Sequence, residues 1–213
     1  MKKFLLDLIF PVNCLSCGKE GDWLCSVCFD KIPFTDRTLK TNPPLDKLLV
    51  ACDYKNQVVK KLVLNLKYNF VRDLAEPIGR LMSKKLSQYL FENDGAILIP
   101  IPLHKKRLHW RGFNQAELLA EQIGQKLNIA VASNVLVRRR HTPPQAKIED
   151  ADERKENIKN SFAVNSDFKE NLENKTIILI DDISTTGATL TECALALAPL
   201  ESKQIWALVF ANG

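Results

Sequence analysis

Residues 177–190 constrain this chain more than any other stretch. Ile177, Ile178, Leu179 and Ile180 are four consecutive β-formers that run into two adjacent carboxylates, Asp181 and Asp182. A hydroxyl-rich turn follows, and then a helix-forming run from Ala188. The pattern predicts a buried strand, a tight turn and a helix N-terminus, whose first N–H groups have no intrahelical acceptor. Such a terminus suits an anion. The N–H groups of Thr185, Thr186, Gly187, Ala188 and Thr189 are set to face a phosphate, and Gly187 keeps a Cβ out of its approach. The hydroxyls of Ser184 and the threonines add donors. Asp181 and Asp182 become acceptors for two neighbouring sugar hydroxyls. Packing alone gives no reason to hold adjacent acids at the end of an apolar strand. The expectation is therefore a ribose 5-phosphate site rather than an ordinary polar helix cap.

Strands alternate with helices along the rest of the chain. Strands are expected over 48–54, 96–100, 134–137, 176–181 and 204–210, and helices over 57–67, 73–91, 113–127 and 188–198. That order implies an α/β fold, a mostly parallel sheet flanked by helices on both faces. Ligands of such sheets bind beyond the carboxyl ends of strands, where Asp181 and Asp182 fall. At 213 residues and 46% apolar content, the chain has room for one such domain plus a small appendage. Cys52 and Cys193 sit alone in apolar surroundings and read as core residues.

The appendage is N-terminal. Cys14 and Cys17, then Cys25 and Cys28, form two Cys-x-x-Cys pairs seven residues apart. Two such knuckles complete a tetrahedral Zn²⁺ site, and four protein ligands leave no open position, so the zinc is expected to be structural. A redox dithiol is the alternative. The module occupies 1–34, a polar, proline-bearing linker covers 35–44, and the main domain covers 45–213. Residues 1–10 carry two lysines and an apolar run that Asp7 interrupts, too short for an export signal. They are expected to pack as an amphipathic turn. No run approaches a membrane span, so the expected location is cytoplasmic, with at most peripheral contact at the inner membrane face.

Charge is unevenly spread. Residues 100–147 hold nine lysines and arginines against two acids, whereas 148–173 hold four against eight. Lys105, Arg107 and Arg111 follow the 96–100 strand in a stretch without acids, an arrangement suited to clamping pyrophosphate. Arg138, Arg139 and Arg140 open a long excursion from a short strand rather than a hairpin. They either meet nucleic acid, with Trp110 as a stacking partner, or pair with the acids of 148–156; the sequence leaves both open.

The Asp-Asp loop resembles the phosphoribosyl pyrophosphate (PRPP) motif of type I phosphoribosyltransferases. The wider set resembles the ComF competence-protein family over nearly the whole chain. It comprises the cysteine knuckles, Leu66-Lys67-Tyr68, the Pro100–Gln115 segment, the arginine-rich strand with Gln145, Glu153-Arg154 to Asn157 with Phe162, and the Asp-Asp loop. Two departures stand out. Asn69-Phe70 follows Tyr68 where the family commonly has a glycine, and Pro199-Leu200-Glu201-Ser202 replaces a small Gly-Ala turn.

The resemblance implies a type I phosphoribosyltransferase-like fold with an N-terminal zinc finger and PRPP bound with Mg²⁺. It also implies a role in natural transformation, where single-stranded DNA enters the cytoplasm. A DNA-uptake helicase and a recombination mediator are the implied partners. On the enzymatic reading, Asp181 and Asp182 fix the sugar while Lys105, Arg107 and Arg111 stabilise departing pyrophosphate. No base-reading loop identifies the acceptor. A non-catalytic adaptor that senses PRPP and binds single-stranded DNA is the second reading, and a nucleobase-salvage enzyme the third.

Overall fold

The computed structural model describes residues 11–35, 37–90, 95–140, 142, 150–168 and 172–213. The expected turn at 1–10 and the motif positions at 143–149, Gln145 among them, lie outside these residues. Six strands form one sheet: β1 (Thr38–Leu39), β2 (Lys47–Asp53), β8 (Gln204–Asn212), β7 (Thr176–Ser184), β3 (Ala96–Pro100) and β4 (Ala130–Val131), in that spatial order. From β2 to β4 every pair is parallel, and β1 alone runs antiparallel at the edge. β1 lies inside the stretch expected to be a linker. Its two residues pair with Leu49 and Leu48, so the linker is partly tied to the sheet.

Both faces of the sheet are covered, as the alternation of elements requires. Period-two alternation divides the central strands. Ile178, Ile180, Trp206, Leu208 and Phe210 pack with α2 (Gln57–Tyr68), α3 (Ala75–Leu86) and α5 (Gln115–Leu127). Ile177, Leu179, Ile205, Ala207 and Val209 pack on the other face with α7 (Ala188–Leu197). Cys52 and Cys193 are fully buried, one in each core. Burial pushes the Cys52 thiol up to about 12. Where α3 and α5 cross, a Cβ on Gly79 would lie 2.5 Å from Gln122 Cβ, so glycine sets that approach.

Several boundaries differ from expectation. Helix α3 ends at Leu86, with a 3₁₀ turn at Arg72–Leu74 before it. A separate helix, α4 (Lys105–Arg111), occupies the basic stretch and stops at Gly112, whose φ of +78° breaks it from α5. Pro199 lies within a 3₁₀ turn, Ala198–Leu200, that extends the end of α7. The excursion after Arg138 has a paired base: β5 (Leu136–Arg138) runs antiparallel to β6 (Phe162–Val164), apart from the main sheet. The connection between them contains α6 (Ala151–Ile158). It is a hairpin with a long arm, where the sequence suggests no hairpin.

The knuckle module sits on the α2–α3 face. Its short helix α1 (Ser26–Asp30) follows Cys25, and Cys14, Leu24, Cys28 and Ile32 share the core of that face with Leu62 and Leu66. Lys61 Nζ donates to the Leu15 carbonyl at 3.2 Å, and the Arg80 guanidinium stacks over Phe29 at 4.3 Å.

Candidate functional site

A cavity of about 650 Å³ opens at the carboxyl ends of β7 and β3. Strand β7 does not stop at the acids; it pairs with β8 as far as Ser184 opposite Asn212. Asp181 and Asp182 are thus strand residues, and alternation sends their side chains to opposite faces. Asp182 continues the row of Ile178 and Ile180 toward α2. Asp181 continues the row of Ile177 and Leu179 toward α7. The cavity wraps the strand end, so both still line it.

The two carboxylates have different surroundings. Asp182 is 1% exposed and both its carboxylate oxygens are buried without a hydrogen-bond partner among the described residues; Lys67 Nζ forms an ion pair with Oδ1 at 2.9 Å, which leaves Oδ2 with neither kind of partner. Asp181 is half-buried, and its Oδ1 accepts the Asp182 N–H at 2.8 Å. Burial and the neighbouring Asp182 charge push Asp181 up to about 8, although Lys67 pulls the other way. Asp182 and Asp181 raise the Lys67 ammonium, outweighing the burial that lowers it.

Beyond Ser184 the chain turns at Gly187, φ +76°, into α7. A Cβ there would meet nothing within 4 Å, so the loop faces open space and the glycine is required by its backbone angle. Thr186 Oγ1 accepts the Ala188 N–H at 3.4 Å. The other first-turn amides of α7 have no acceptor among the described residues. Ser184, Thr185, Gly187, Ala188 and Thr189 line the cavity, whereas Thr186 is exposed and outside its lining.

Arg107, Arg111 and Arg138 line the same cavity. Arg107 donates to the Thr142 carbonyl at 2.7 Å, Arg138 to the Thr142 hydroxyl at 2.7 Å, and Arg111 to the Gln115 side chain. The buried Nε atoms of Arg111 and Arg138 and the Ser184 hydroxyl have no partner among the described residues. Burial, reinforced by Arg107, lowers Arg138 to about 10; burial also lowers Arg107 and Arg111. With Lys67, four cations face two carboxylates, and such a surplus attracts an anion.

Lys105 is exposed and outside the lining. The three arginines expected to act together also separate. Arg138 turns into the cavity, while Arg139 and Arg140 are exposed and Arg140 donates to the Lys159 carbonyl at 2.8 Å. Trp110, 63% exposed, stands at the rim with Tyr68. Phe70 meets the Trp110 ring edge-on at 5.1 Å. Phe70, two residues after Tyr68, has φ +56°, a backbone conformation that favours glycine.

Sequence reasoning places Lys67 within a motif without giving it a role. A signal is present: Lys67 falls four residues after Val63 and eight after Val59 on the apolar stripe of α2.

The four knuckle thiols form a second cluster, their Sγ atoms all within 4.8 Å of one another. Cys17 and Cys25 Sγ are 3.8 Å apart, matching the edge of a tetrahedron with metal–sulfur bonds of about 2.3 Å. Although burial raises the Cys14 thiol, backbone N–H groups of Cys17, Cys25 and Ser16 bring it to about 6. The cluster fits a metal ion such as zinc.

No protein-family model matches the chain. It is 31% identical over 208 residues to Competence protein F of Haemophilus influenzae, covering 93% of this chain and 84% of that protein. The chain belongs to the ComF competence-protein family. Other ComF relatives include DNA utilization protein YhgH of Escherichia coli K12, 28% identical over 231 aligned positions and 94% and 98% of the two chains. Competence protein ComFC of Bacillus subtilis is 33% identical over 144 residues, 67% of this chain and 54% of that one. Among solved structures, adenine phosphoribosyltransferase of Leishmania tarentolae aligns with 83% of this chain and 94% of its own at 12% identity and a TM-score of 0.40. A hypoxanthine phosphoribosyltransferase of Staphylococcus aureus aligns with 68% and 64% at 12% identity and a TM-score of 0.38. Likenesses this distant carry no weight for the site. Among the described residues, no helix is long and apolar enough to cross a membrane.

Proposed function

We propose that the cavity binds PRPP and that the chain acts in natural transformation, handling incoming single-stranded DNA as a phosphoribosyltransferase-type protein. One observation carries this reading. Asp181, Asp182 and the loop residues Thr185, Gly187, Ala188 and Thr189 share one cavity with three arginines that no acid among the described residues pairs within 4 Å. The loop amides suit a 5-phosphate, the carboxylates suit ribose hydroxyls, and the guanidinium wall suits pyrophosphate. The names Competence protein F, DNA utilization protein and Competence protein ComFC support the biological role.

The chemistry follows from placement. As the bond from C1 to pyrophosphate lengthens, positive charge grows on the sugar and negative charge on the leaving oxygen. Arg107, Arg111 and Arg138, which line the same cavity, would stabilise that negative charge, each contact being worth about 3 kcal/mol. Mg²⁺ brought in on the phosphates would neutralise further charge. In the knuckles, Cys14, Cys17, Cys25 and Cys28 would hold a structural zinc that ties the module together.

Calorimetry with PRPP and Mg²⁺ tests the donor site, with Asp181→Asn/Asp182→Asn as control. Micromolar binding lost in the double variant is expected; equal affinity in both would end the proposal. Pyrophosphate release on adding free bases, nucleotides or single-stranded DNA then separates an enzyme from an adaptor. The exposed Trp110, Tyr68 and Phe70 rim, with Arg139 and Arg140, favours an adaptor contact to single strands. That contact should weaken steeply with salt.

A further inference from the structure

The floor of the cavity holds a lysine in an unusual place. Lys67 lies one residue before the end of α2, on the helix's apolar stripe, with a side chain 19% exposed. A lysine so placed needs a partner, and the helix delivers its ammonium to Asp182 Oδ1 at 2.9 Å. Other charged or titratable groups around this carboxylate are Tyr54 after β2, Arg111 of α4 and the adjacent Asp181. Arg111 already donates to Gln115, and Asp181 already accepts the Asp182 N–H. Among the described residues, Lys67 is the group that contacts the Asp182 side chain as an ion pair.

We propose that Lys67 is a positioning residue: by holding Oδ1 it fixes the Asp182 carboxylate so that Oδ2, which has no partner among the described residues, is the acceptor for one ligand hydroxyl. This rests on the sugar-phosphate reading above. It assigns unequal jobs to the two acids. Asp182 is a fixed acceptor braced from α2, whereas Asp181 has no ion pair among the described residues.

The test uses the full chain, metal bound, with two probes: ribose 5-phosphate, which needs loop and carboxylates, and inorganic phosphate, which needs the loop alone. Lys67→Met should weaken ribose 5-phosphate by about tenfold or more, the loss of one charge-assisted hydrogen bond, and inorganic phosphate by less than about threefold. Lys67→Arg, which keeps the charge and a donor, should recover most of the affinity. In an Asp182→Asn background, Lys67→Met should cause no further loss, and that double variant leaves no uncompensated buried charge if the single one fails to fold. Equal losses for both probes, or losses that add in the double variant, would overturn the proposal. A third readout needs no sugar ligand. Carbon NMR couplings should show one Asp182 side-chain rotamer in the parent and averaging in Lys67→Met; one fixed rotamer in both would also overturn it. If the parent binds inorganic phosphate but not ribose 5-phosphate, the sugar-phosphate reading fails, and the rotamer comparison still decides what Lys67 does.

Discussion

The knuckle cluster and the cavity are both gatherings of ionisable side chains, yet they are finished to different degrees. In the knuckles, four sulfurs lie within 4.8 Å of one another, and the cluster splits its thiols, lowering Cys14 to about 6 and raising Cys28 to about 11. Nothing is left open for a second ligand, so the cluster can only hold. The cavity is incomplete: one carboxylate oxygen, two guanidinium Nε atoms and a hydroxyl are buried without partners among the described residues, and cations outnumber acids. Orphaned polar atoms are costly, and they concentrate where a ligand will supply the missing bonds. Closure marks a structural cluster, and lack of closure a binding one.

The largest expected effect breaks the first half of that contrast. Removing the metal with a chelator, or replacing Cys25 by Ser, should destabilise the module by on the order of 5 kcal/mol or more, since metal affinity here is folding free energy. One zinc per chain should appear by elemental analysis. Four titratable thiols with an unchanged melting temperature would show the cluster to be merely four neighbouring cysteines.

Asp181 sharpens the second half. Its folded pKa of about 8 lies above the ordinary 3.8, so between those values the native state holds a proton that the unfolded chain has released. Stability of the ligand-free protein should therefore fall as pH rises from about 4 to 8. Asp181→Asn should flatten that slope in denaturant titrations. A slope unchanged by the substitution would mean that the carboxylate is better solvated than its position implies.

Gly187→Ala has a smaller effect. The backbone angle of +76° disfavours any Cβ, while space around the position is open, so the loss should be about 1 kcal/mol of strain. If the loop conformation is the anion cradle proposed above, inorganic phosphate affinity should fall as well. A variant as stable as the parent with intact phosphate binding would remove the cradle from the site.

Much of this architecture is legible in the amino-acid sequence. The unbroken apolar runs of β7 and β8, the stripe of α2 and the knuckle spacing are local patterns, and local patterns report local structure. What stays hidden depends on distant partners. That β7 runs through its acids is decided by Asn212 on β8, 28 residues from Ser184. That Arg138 parts from Arg139 and Arg140 goes with β5 ending at Arg138, the last of its three residues to pair with β6. The role of Lys67 emerges only with the helix laid against the strand. Phe70 is the instructive departure. Its backbone keeps a glycine-like angle, and its ring packs edge-on against Trp110 and Phe113. The loop thus holds the conformation that a glycine would take there, with an aromatic side chain added to the rim.

Helix α2 joins the two regions, and its lysines give the finest test of their independence. Lys61 Nζ bonds the Leu15 carbonyl between the first two knuckle cysteines, and Lys67, six residues on, holds Asp182. At 1.5 Å per residue the two anchor points are about 9 Å apart along one rigid element. Lys61→Met removes a single exposed hydrogen bond, so it should cost only about 0.5–1 kcal/mol. If the regions are separately finished, the variant should release zinc to a competing chelator somewhat faster and leave ribose 5-phosphate affinity unchanged. If affinity falls in step with metal retention, the helix transmits strain from one cluster to the other, and the knuckle would then set the geometry of the acids as well as its own fold.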